Sequence, residues 1–357
     1  MIKDLIEVKQ LPVIEEQLRS VSTVIEERVK NATNLVCTEE SVKTIKEIRA
    51  ELNKDYKEFE TKRKLVKEQV LKPYNDFENV YKMLYVLVEG EQKGEYELDP
   101  DFATQWLNPN SNLRESIFEI QYVTNGKNWD ESTGWNGVWF IPSSDGGYGF
   151  HLPTQHLLDA FDPEDPRITW TFVRQGDQFV GNDFVTGDAN YPSRFFDRKH
   201  FVPMSETLNA ASPVYPQDVE MTVYVIRYAD VLLMYAEACL EKGNIVGARK
   251  YLNQVRKRAR ESSPLDAKRV IQKYVPDTKP TSLPDITSDN VAEVRLAIWN
   301  ERRFEFACEG IRRMDLMQQE RYGEIMTAVY SNGYATEDVD KGRYYTKERE
   351  LFPIPQI

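Results

Sequence analysis

The chain has 357 residues, of which 41% are hydrophobic and 29% charged, an ordinary balance for a folded protein of two or three domains. Its 46 basic and 58 acidic side chains give a net charge of −12, which excludes nucleic acid as a main partner, because phosphate binding requires a basic surface. The three cysteines and three histidines are widely spaced, so we predict neither a disulfide framework nor a metal site, and we expect no cofactor.

The amino-terminal residues predict neither export nor lipid attachment. Residues 1–10 are charged and no apolar core follows them. Cys37 does not resemble a lipoprotein cysteine, because the bulky Val36 precedes it and residues 29–34 are polar. Since no apolar run approaches 18 residues, we also expect no membrane-spanning helix. The chain as written would therefore be cytoplasmic.

The composition changes sharply near residues 80–90. Residues 1–89 contain no glycine and no tryptophan, so all 17 glycines and all 6 tryptophans come later. Residues 1–83 carry 16 basic and 16 acidic side chains, so the remainder carries the whole net charge of −12. We therefore divide the chain into a segment of residues 1–83 and a region of residues 84–357.

The first segment has the pattern of a long helical hairpin. Thr38 is predicted to cap the second helix, since glutamates follow it in the first turn. Pro73 is expected to stop or bend this helix, which would end near Leu71. Apolar residues of the first helix alternate by three and four, a heptad-like seam, at Leu11, Ile14, Leu18, Val21 and Ile25.

Part of this segment resembles a known family. Residues 37–54 read C-T-E-E-S-V-K-T-I-K-E-I-R-A-E-L-N-K, residues 62–67 read K-R-K-L-V-K, and residues 71–78 read L-K-P-Y-N-D-F-E. These sequences resemble the start of a phage and prophage protein family of unknown function. The resemblance implies a helical segment and says nothing about chemistry. An unrelated hairpin rich in lysine and glutamate is the alternative.

Beyond the boundary, irregular stretches alternate with helices. Ile117, Phe118 and Ile120 predict a strand, whereas residues 125–149 are rich in Gly, Trp, Asn and Ser and predict a long surface loop. Thr154 is predicted to cap a helix over residues 155–161. Residues 222–260 are predicted to be helical, as a tetratricopeptide-type pair with its turn at Gly243-Asn244.

Residues 300–316, N-E-R-R-F-E-F-A-C-E-G-I-R-R-M-D-L, are the most distinctive stretch. Ser288 is predicted to cap the helix that carries it, Phe304, Ala307 and Cys308 to form its inward stripe, and Gly310 to end it in a left-handed cap. The stretch resembles the carboxy-terminal signature of the SusD/RagB family, the nutrient-binding partners of TonB-dependent outer-membrane transporters. The matching residues are Glu301, Arg302, Arg303, Glu305, Glu309, Gly310, Arg312, Asp315 and Leu316.

Further blocks of the same family pattern occur in order along the chain. They are P-T-x-x-L-x-D-A-F…D-P-R over residues 153–167, two helical blocks over residues 228–238 and 253–259, and the end of the chain. The resemblance covers residues 85–357. It implies a mainly α, tetratricopeptide-like SusD-type fold with long irregular loops and a little β structure. Most of the amino-terminal half of the family fold is missing, which suggests a fused reading frame near residue 83.

The acids of the signature could serve catalysis or structure. Glu301 and Glu305 lie one helical turn apart, and glycosidases use carboxylate pairs. Each of them also has an arginine within one turn, which favours the charged form. We therefore predict an ion-pair network that locks the fold, and we expect that the protein is not an enzyme.

The family resemblance implies a function at the outer membrane, namely binding of a glycan or other nutrient and its delivery to a TonB-dependent, SusC-like transporter. Sugars have apolar faces and polar edges, so their binders need exposed rings and a few amide or carboxylate groups. Trp170 is a weaker candidate ring, and Trp106 and Trp299 are expected in the core. The candidate ligand-binding residues are Trp129, Trp135, Asn136, Trp139, Asp145 and Tyr148, with Asn128 beside them.

Three other hypotheses stay open at this level. The same aromatic residues could simply pack the loop against the helices, because tryptophan is usually buried. The helix pairs could form an interaction scaffold that binds protein segments. The chain could also be a phage-derived fusion protein with no ligand.

Overall fold

A computed structural model gives the structure of the chain. It describes residues 23, 26–27, 29–31, 33–34, 38, 41–107, 111–122, 135–136, 139–140, 148–174, 178–179, 182–183, 195–200, 218–219, 221–264 and 282–331. Contacts divide the chain into two units, Met1–Met83 and Leu84–Ile357. That these units are separate natural domains stays a prediction.

Helix α1 (Ser41–Val88) dominates the amino-terminal part of the chain. The backbone N–H of Ser41 donates to Oγ1 of Thr38 at 3.2 Å, and the N–H of Thr38 donates to Oγ of Ser41 at 2.7 Å. This reciprocal cap confirms the predicted role of Thr38. Of the preceding helix only a few residues between 23 and 33 are described, and they are helical. The heptad-like seam lies outside the described residues, so the hairpin stays a prediction.

The predicted end of this helix near Leu71 is wrong, because α1 continues past Pro73 to Val88. A proline inside a helix removes one backbone donor and costs about 3 kcal/mol. The cost is local, and the helix beyond it is held by tertiary burial. Leu84 and Val88, in its last turns, are almost completely buried.

The second unit contains seven further helices and eight strands within the described residues. The helices are α2 (Gln155–Ala160), α3 (Ile168–Thr171), α4 (Tyr228–Glu241), α5 (Ile245–Arg260), α6 (Val291–Glu305), α7 (Arg312–Gln318) and α8 (Tyr322–Ser331). A 3-10 helix covers Phe102–Trp106. The strands are β1 (Ser116–Gln121), β2 (Trp135–Asn136), β3 (Phe172–Val173), β4 (Gln178–Phe179), β5 (Asn182–Asp183), β6 (Phe196–Asp197), β7 (Asp218–Val219) and β8 (Thr222–Arg227).

Helices α4, α5 and α6 pack together and form the centre of this unit. Gly243 has a φ of 78°, a backbone conformation that favours glycine, and it turns the chain between α4 and α5. The side chain of Asn244 then accepts the N–H of Gly247, which caps α5 and confirms the predicted turn. The apolar faces of the three helices are completely buried at Leu233, Ala236, Leu240, Leu252, Val255, Val294 and Ile298.

The strands form four two-stranded antiparallel sheets. In the longest, β1 pairs with β8, and Ser116 lies opposite Arg227. The predicted strand at β1 is confirmed. The helix predicted over residues 222–260 is wrong for its first six residues, which form β8, and α4 begins only at Tyr228. Residues 222–226, T-V-Y-V-I, are β-branched or aromatic, the residue types that favour strands.

Helix α6 differs from the prediction at both ends. Asn290, not Ser288, is its cap, since the Asn290 side chain accepts the N–H groups of Ala292 and Glu293. The helix ends at Glu305, so Ala307 and Cys308 of the predicted stripe lie beyond it. Gly310 does adopt the predicted left-handed conformation, with a φ of 81°, but it is not the cap of α6, because Phe306 follows the last helical residue.

Two clusters of buried side chains form part of the core of the second unit. Phe102, Ala103, Trp106 and Trp170 form one cluster, and Phe161, Ile168, Phe172 and Ala307 form the other.

Within the described ranges, no helix combines the length and the apolar character that crossing a membrane requires.

Candidate functional site

The signature acids lie in a buried network of charges rather than on a surface. Glu305 is completely buried at the end of α6. Its Oε2 accepts Nη1 of Arg167 at 2.9 Å, its Oε1 accepts Nη1 of Arg227 at 2.8 Å, and Arg258 is a third partner. Burial alone would raise the pKa of Glu305, but these three arginines outweigh it and hold the pKa well below its usual range.

The network extends through bridging arginines. Arg167 also contacts Glu301 at 2.7 Å, and Arg227 also contacts Glu309 at 2.9 Å. Further members pair with these at the edges: Asp165 with Arg167, Arg256 with Glu301, Lys199 with Glu309, and Glu115 with both Arg227 and Arg258. Because each guanidinium presents several donors in one plane, it can hold two or three carboxylates together.

The partners of these acids are not the arginines of the same helix turn. Arg302 instead contacts Asp230 at 2.6 Å and Asp315 at 2.8 Å, which fastens α6 to α4 and α7. Arg303 contacts His156, on α2. Arg312, at the start of α7, is partly buried, and burial lowers its pKa to about 10. The expectation of local pairing is therefore wrong, and the network joins distant parts of the chain.

The geometry of the network does not suit catalysis at Glu301 and Glu305. Both carboxylates are completely buried, so a glycosidic bond cannot reach them. Glu305 is held in the charged form, whereas a general acid needs a raised pKa. The arrangement resembles a scaffold that fixes helix positions.

The exposed aromatic rings form a second, very different group. Trp139, Tyr148 and Phe150 are 45%, 57% and 50% exposed. The ring centroid of Trp139 lies 6.0 Å from that of Tyr148 and 5.5 Å from that of Phe150. The rings of Tyr148 and Phe150 stack with a centroid distance of 5.8 Å. The N–H of Phe150 donates to the carbonyl of Trp139 at 2.7 Å, which joins the two chain segments. We call these three rings the aromatic platform.

Only some of the predicted ligand-binding residues lie within the described parts of the chain. Trp139 and Tyr148 are brought together in the platform, and Phe150 is an additional member that the sequence analysis missed. Trp135 and Asn136 form β2, whose backbone pairs with β7, and their side chains lie outside the described parts. Asn128, Trp129 and Asp145 also lie outside the described residues.

The other tryptophans have structural positions. Trp170, a weaker candidate for binding, is completely buried, and its Nε1–H donates to the carbonyl of Ser263 at 2.7 Å, so that candidate is wrong. Trp106 is buried as predicted. The prediction that Trp299 lies in the core is wrong, because its side chain is only half-buried. Its Nε1–H donates to Glu237, and Arg321 lies over its ring.

Next to the platform, two histidines meet one carboxylate. Nδ1 of His151 lies 2.9 Å from Oδ2 of Asp197, and Nδ1 of His200 lies 2.6 Å from the same oxygen. The hydrogen bond to Asp197 raises the pKa of His151. The expectation that the histidines are scattered is therefore wrong for two of the three. Their sequence separation of 49 positions gave no signal of this proximity.

A separate cavity of about 490 Å³ lies beside α5. Its wall combines three tyrosines, Tyr96, Tyr228 and Tyr251, with charged side chains that include Lys250 and Arg258. The cavity thus combines a mainly apolar and aromatic surface with several charged groups, the mixture typical of a ligand-binding pocket.

The chain belongs to the SusD family, because a sequence model of that family matches residues 114–357. Residues 5–89 match a second model, described as a protein of unknown function (DUF1351). A SusD-like protein of Bacteroides ovatus is 24% identical over 243 residues, which cover 65% of this chain and 40% of that protein.

Solved structures resemble the fold. A SusD homolog from Bacteroides thetaiotaomicron matches with a TM-score of 0.59 and 20% identity, over 80% of this chain and 57% of that one. Surface glycan-binding protein A from Bacteroides thetaiotaomicron, in complex with laminarihexaose, matches with a TM-score of 0.55 and 20% identity, over 80% of this chain and 58% of that one. A laminarin-binding SusD-like protein matches with a TM-score of 0.54 and 22% identity, over 81% and 58%.

These similarities confirm the predicted mainly helical SusD-type fold. At identities of 20–22% they establish the fold alone. The chain spans less than three fifths of each of these solved structures, so the activity of a whole SusD-type protein is a matter for proposal here.

Proposed function

We propose that this protein binds a glycan without catalysis and that the aromatic platform contacts the sugar. The observation that carries the proposal is the exposure of Trp139, Tyr148 and Phe150, by about half each, side by side. Trp106 and Trp170 are buried in the core, so the fold buries tryptophan elsewhere. Fold relatives that bind laminarihexaose and laminarin support the same ligand class.

The platform has the shape and chemistry that a sugar face requires. Tyr148 and Phe150 are nearly parallel, at 16°, and Trp139 is tilted against them by 56° and 46°. Apolar C–H groups of a sugar can cover the rings while its hydroxyl groups stay in water. Covering about 100 Å² of apolar surface contributes about 2.5 kcal/mol, so a few such contacts suffice for a useful affinity.

The remaining predicted residues stay part of the proposal because they lie near the platform residues in the sequence. Asn136 and Asp145 would hydrogen-bond the polar edges of the sugar, and Trp129 and Trp135 would add ring surface. Trp135 and Asn136 form β2, whose backbone pairs with β7. Non-catalytic binding is supported by the complete burial of Glu301 and Glu305.

Delivery of the ligand to a TonB-dependent, SusC-like transporter at the outer membrane forms the second part of the proposal. Membership of the SusD family supports it. Co-purification of this chain with a transporter of that type would test this part separately from glycan binding.

Affinity electrophoresis tests glycan binding directly. The full chain is run through native gels that contain laminarin or one of a panel of other soluble polysaccharides. We expect at least one polysaccharide to retard it, and Trp139→Ala to weaken that binding about tenfold or more, since central aromatic residues dominate binding energy. Phe118→Ala is the matched control, because Phe118 is 56% exposed on β1 and outside the platform.

Two results would contradict the proposal. A folded chain that no polysaccharide retards would refute glycan binding. Equal retardation of the wild type and Trp139→Ala would show that the glycan binds away from the platform.

The cavity beside α5 favours a second candidate function, an interaction scaffold for protein segments. Its tyrosines and charged groups could hold a peptide of mixed character. Binding of peptides from a defined library that is lost in Tyr96→Ala and unchanged in Trp139→Ala would favour the scaffold.

A further inference from the structure

Three side chains outside the aromatic platform converge on one point. His151 follows the platform segment, Asp197 ends β6, and His200 lies three residues later. The two Nδ1 atoms lie 2.9 Å and 2.6 Å from Oδ2 of Asp197. Ligand-capable atoms of all three side chains lie within 4.8 Å of one another. Glycan binding by the platform makes no use of this cluster.

The cluster is anchored on one side and open on the other. The Asp197 carboxylate is completely buried, and its Oδ1 accepts the backbone N–H of Lys199 at 2.9 Å, which fixes its orientation. The side chain of His200 is 12% exposed, whereas that of His151 is 42% exposed. A small ion can therefore enter from the side of His151 without disturbing the core.

The donor set is the one that Zn²⁺ takes in proteins. Two imidazole nitrogens and one carboxylate oxygen leave a fourth tetrahedral position for water. Bonds of about 2.1 Å place tetrahedral ligand atoms about 3.4 Å apart. The two nitrogen–oxygen distances must therefore widen by less than about 1 Å when one ion replaces the two hydrogen-bond protons. The partly exposed His151 has room for that adjustment.

The backbone at His151 gives an independent indication of a functional position. Its φ is 60°, in the left-handed region that non-glycine residues seldom occupy. Gly149, two residues earlier, also has a φ of 60°. Strained backbone of this kind concentrates at ligand and active sites, where the surrounding structure holds it in place. In this conformation, Nδ1 of His151 lies 2.9 Å from Oδ2 of Asp197.

A neighbouring ring supplies the apolar shell that metal sites commonly have. Phe140 stacks on His200 with a centroid distance of 5.2 Å and meets His151 edge-on at 6.0 Å. Such a ring limits the orientations of both imidazoles and lowers the local water content. The geometry points to a binding site for one Zn²⁺ ion formed by His151, Asp197 and His200. This inference does not depend on the proposed glycan function.

The competing explanation is a hydrogen-bonded triad that only stabilises the fold. The two explanations differ in one measurable respect, since only the first gives a stoichiometric affinity for zinc. The test therefore uses the full chain, freed of metal with a chelator and then titrated with Zn²⁺ in a calorimeter. Co²⁺ serves as a second probe, because its visible absorption reports tetrahedral coordination.

We expect one equivalent of Zn²⁺ to bind to the full chain. His151→Ala and His200→Ala should each weaken the affinity about tenfold or more, because each removes one ligand. His156→Ala is the matched control, since His156 contacts Arg303 instead of this cluster, and its affinity should equal that of the wild type.

The inference is overturned if the folded wild-type chain binds no Zn²⁺. It is also overturned if His151→Ala and His200→Ala bind Zn²⁺ as tightly as the wild type. Circular dichroism of each variant confirms that the comparison is made between folded proteins. His151→Ala is the decisive variant, because a partly exposed side chain can be removed without unfolding the core.

Discussion

Two regions of the second unit depart from the usual rule that apolar side chains are buried and charged side chains are exposed. Around Glu305 the interior holds charges, and at Trp139 the surface holds aromatic rings. Burying a charge is costly unless a partner and hydrogen bonds satisfy it. Exposing rings side by side is unfavourable unless something covers them. Each region therefore needs an interaction that offsets its unfavourable free energy.

The answers differ in where the compensation lies. Around Glu305 it lies inside the chain, because Arg167, Arg227 and Arg258 converge on the carboxylate. At the platform, the described structure holds the rings by contacts among themselves and leaves their outer faces in solvent. This difference supports a scaffold role for the network and our proposal that an outside molecule binds at the platform.

The largest effect is expected from removing the central charge of the network. Glu305→Gln leaves three buried arginines short of one negative charge. Breaking a buried pair from one side costs about 3–5 kcal/mol, so we expect a loss of this size in the free energy of unfolding. Urea denaturation of the full chain, followed by circular dichroism, measures it.

Glu91→Gln is the control for this prediction, because Glu91 lies on an exposed turn. It should change the free energy of unfolding by about 0.5 kcal/mol or less. A similarly small effect of Glu305→Gln would show that the network does not stabilise the fold.

Acid should weaken the network in a defined pH range. Burial raises the pKa of Glu309, but Arg227 and Lys199 outweigh it, and the folded-state pKa lies below the ordinary value of 4.5. The stabilisation is therefore complete above about pH 4.5 and is lost as the pH falls toward the folded-state pKa. Each such carboxylate contributes a slope of up to about 1.4 kcal/mol per pH unit.

Glu309→Gln removes one of these groups. The free energy of unfolding is measured by denaturation at several values between pH 5 and pH 3. Its slope against pH should then be smaller than in the wild type by up to about 1.4 kcal/mol per pH unit, the contribution of one proton. An unchanged slope would mean that Glu309 is not held in its charged form in the folded protein.

Much of this difference could be inferred from the sequence, but not all of it. The signature around Glu301 and Glu305 predicted a charged network, and the glycine-rich stretch with its tryptophans predicted an exposed aromatic surface. The cap at Thr38 and the turn at Gly243 followed from short-range rules, because a cap depends on two or three neighbouring residues.

Long-range partners could not be read in the same way. Arg167 and Arg227 lie 138 and 78 positions from Glu305, and no periodicity connects them. The proximity of His151 and His200 could not be predicted for the same reason, since no sequence pattern connects them. The strand at Thr222–Arg227 directly precedes α4, so the helical pattern of α4 hides the strand preference of its β-branched residues.

One pair of measurements on Trp139→Ala tests the central claim that the platform is a binding surface and not packing. Calorimetry gives the affinity for the polysaccharide that retards the wild type most strongly, and urea denaturation gives the free energy of unfolding. We predict an affinity at least about tenfold lower, equal to about 1.4 kcal/mol, with less than about 1 kcal/mol lost in stability. Unchanged affinity together with a loss of about 3 kcal/mol or more in stability would contradict the claim and identify Trp139 as a packing residue.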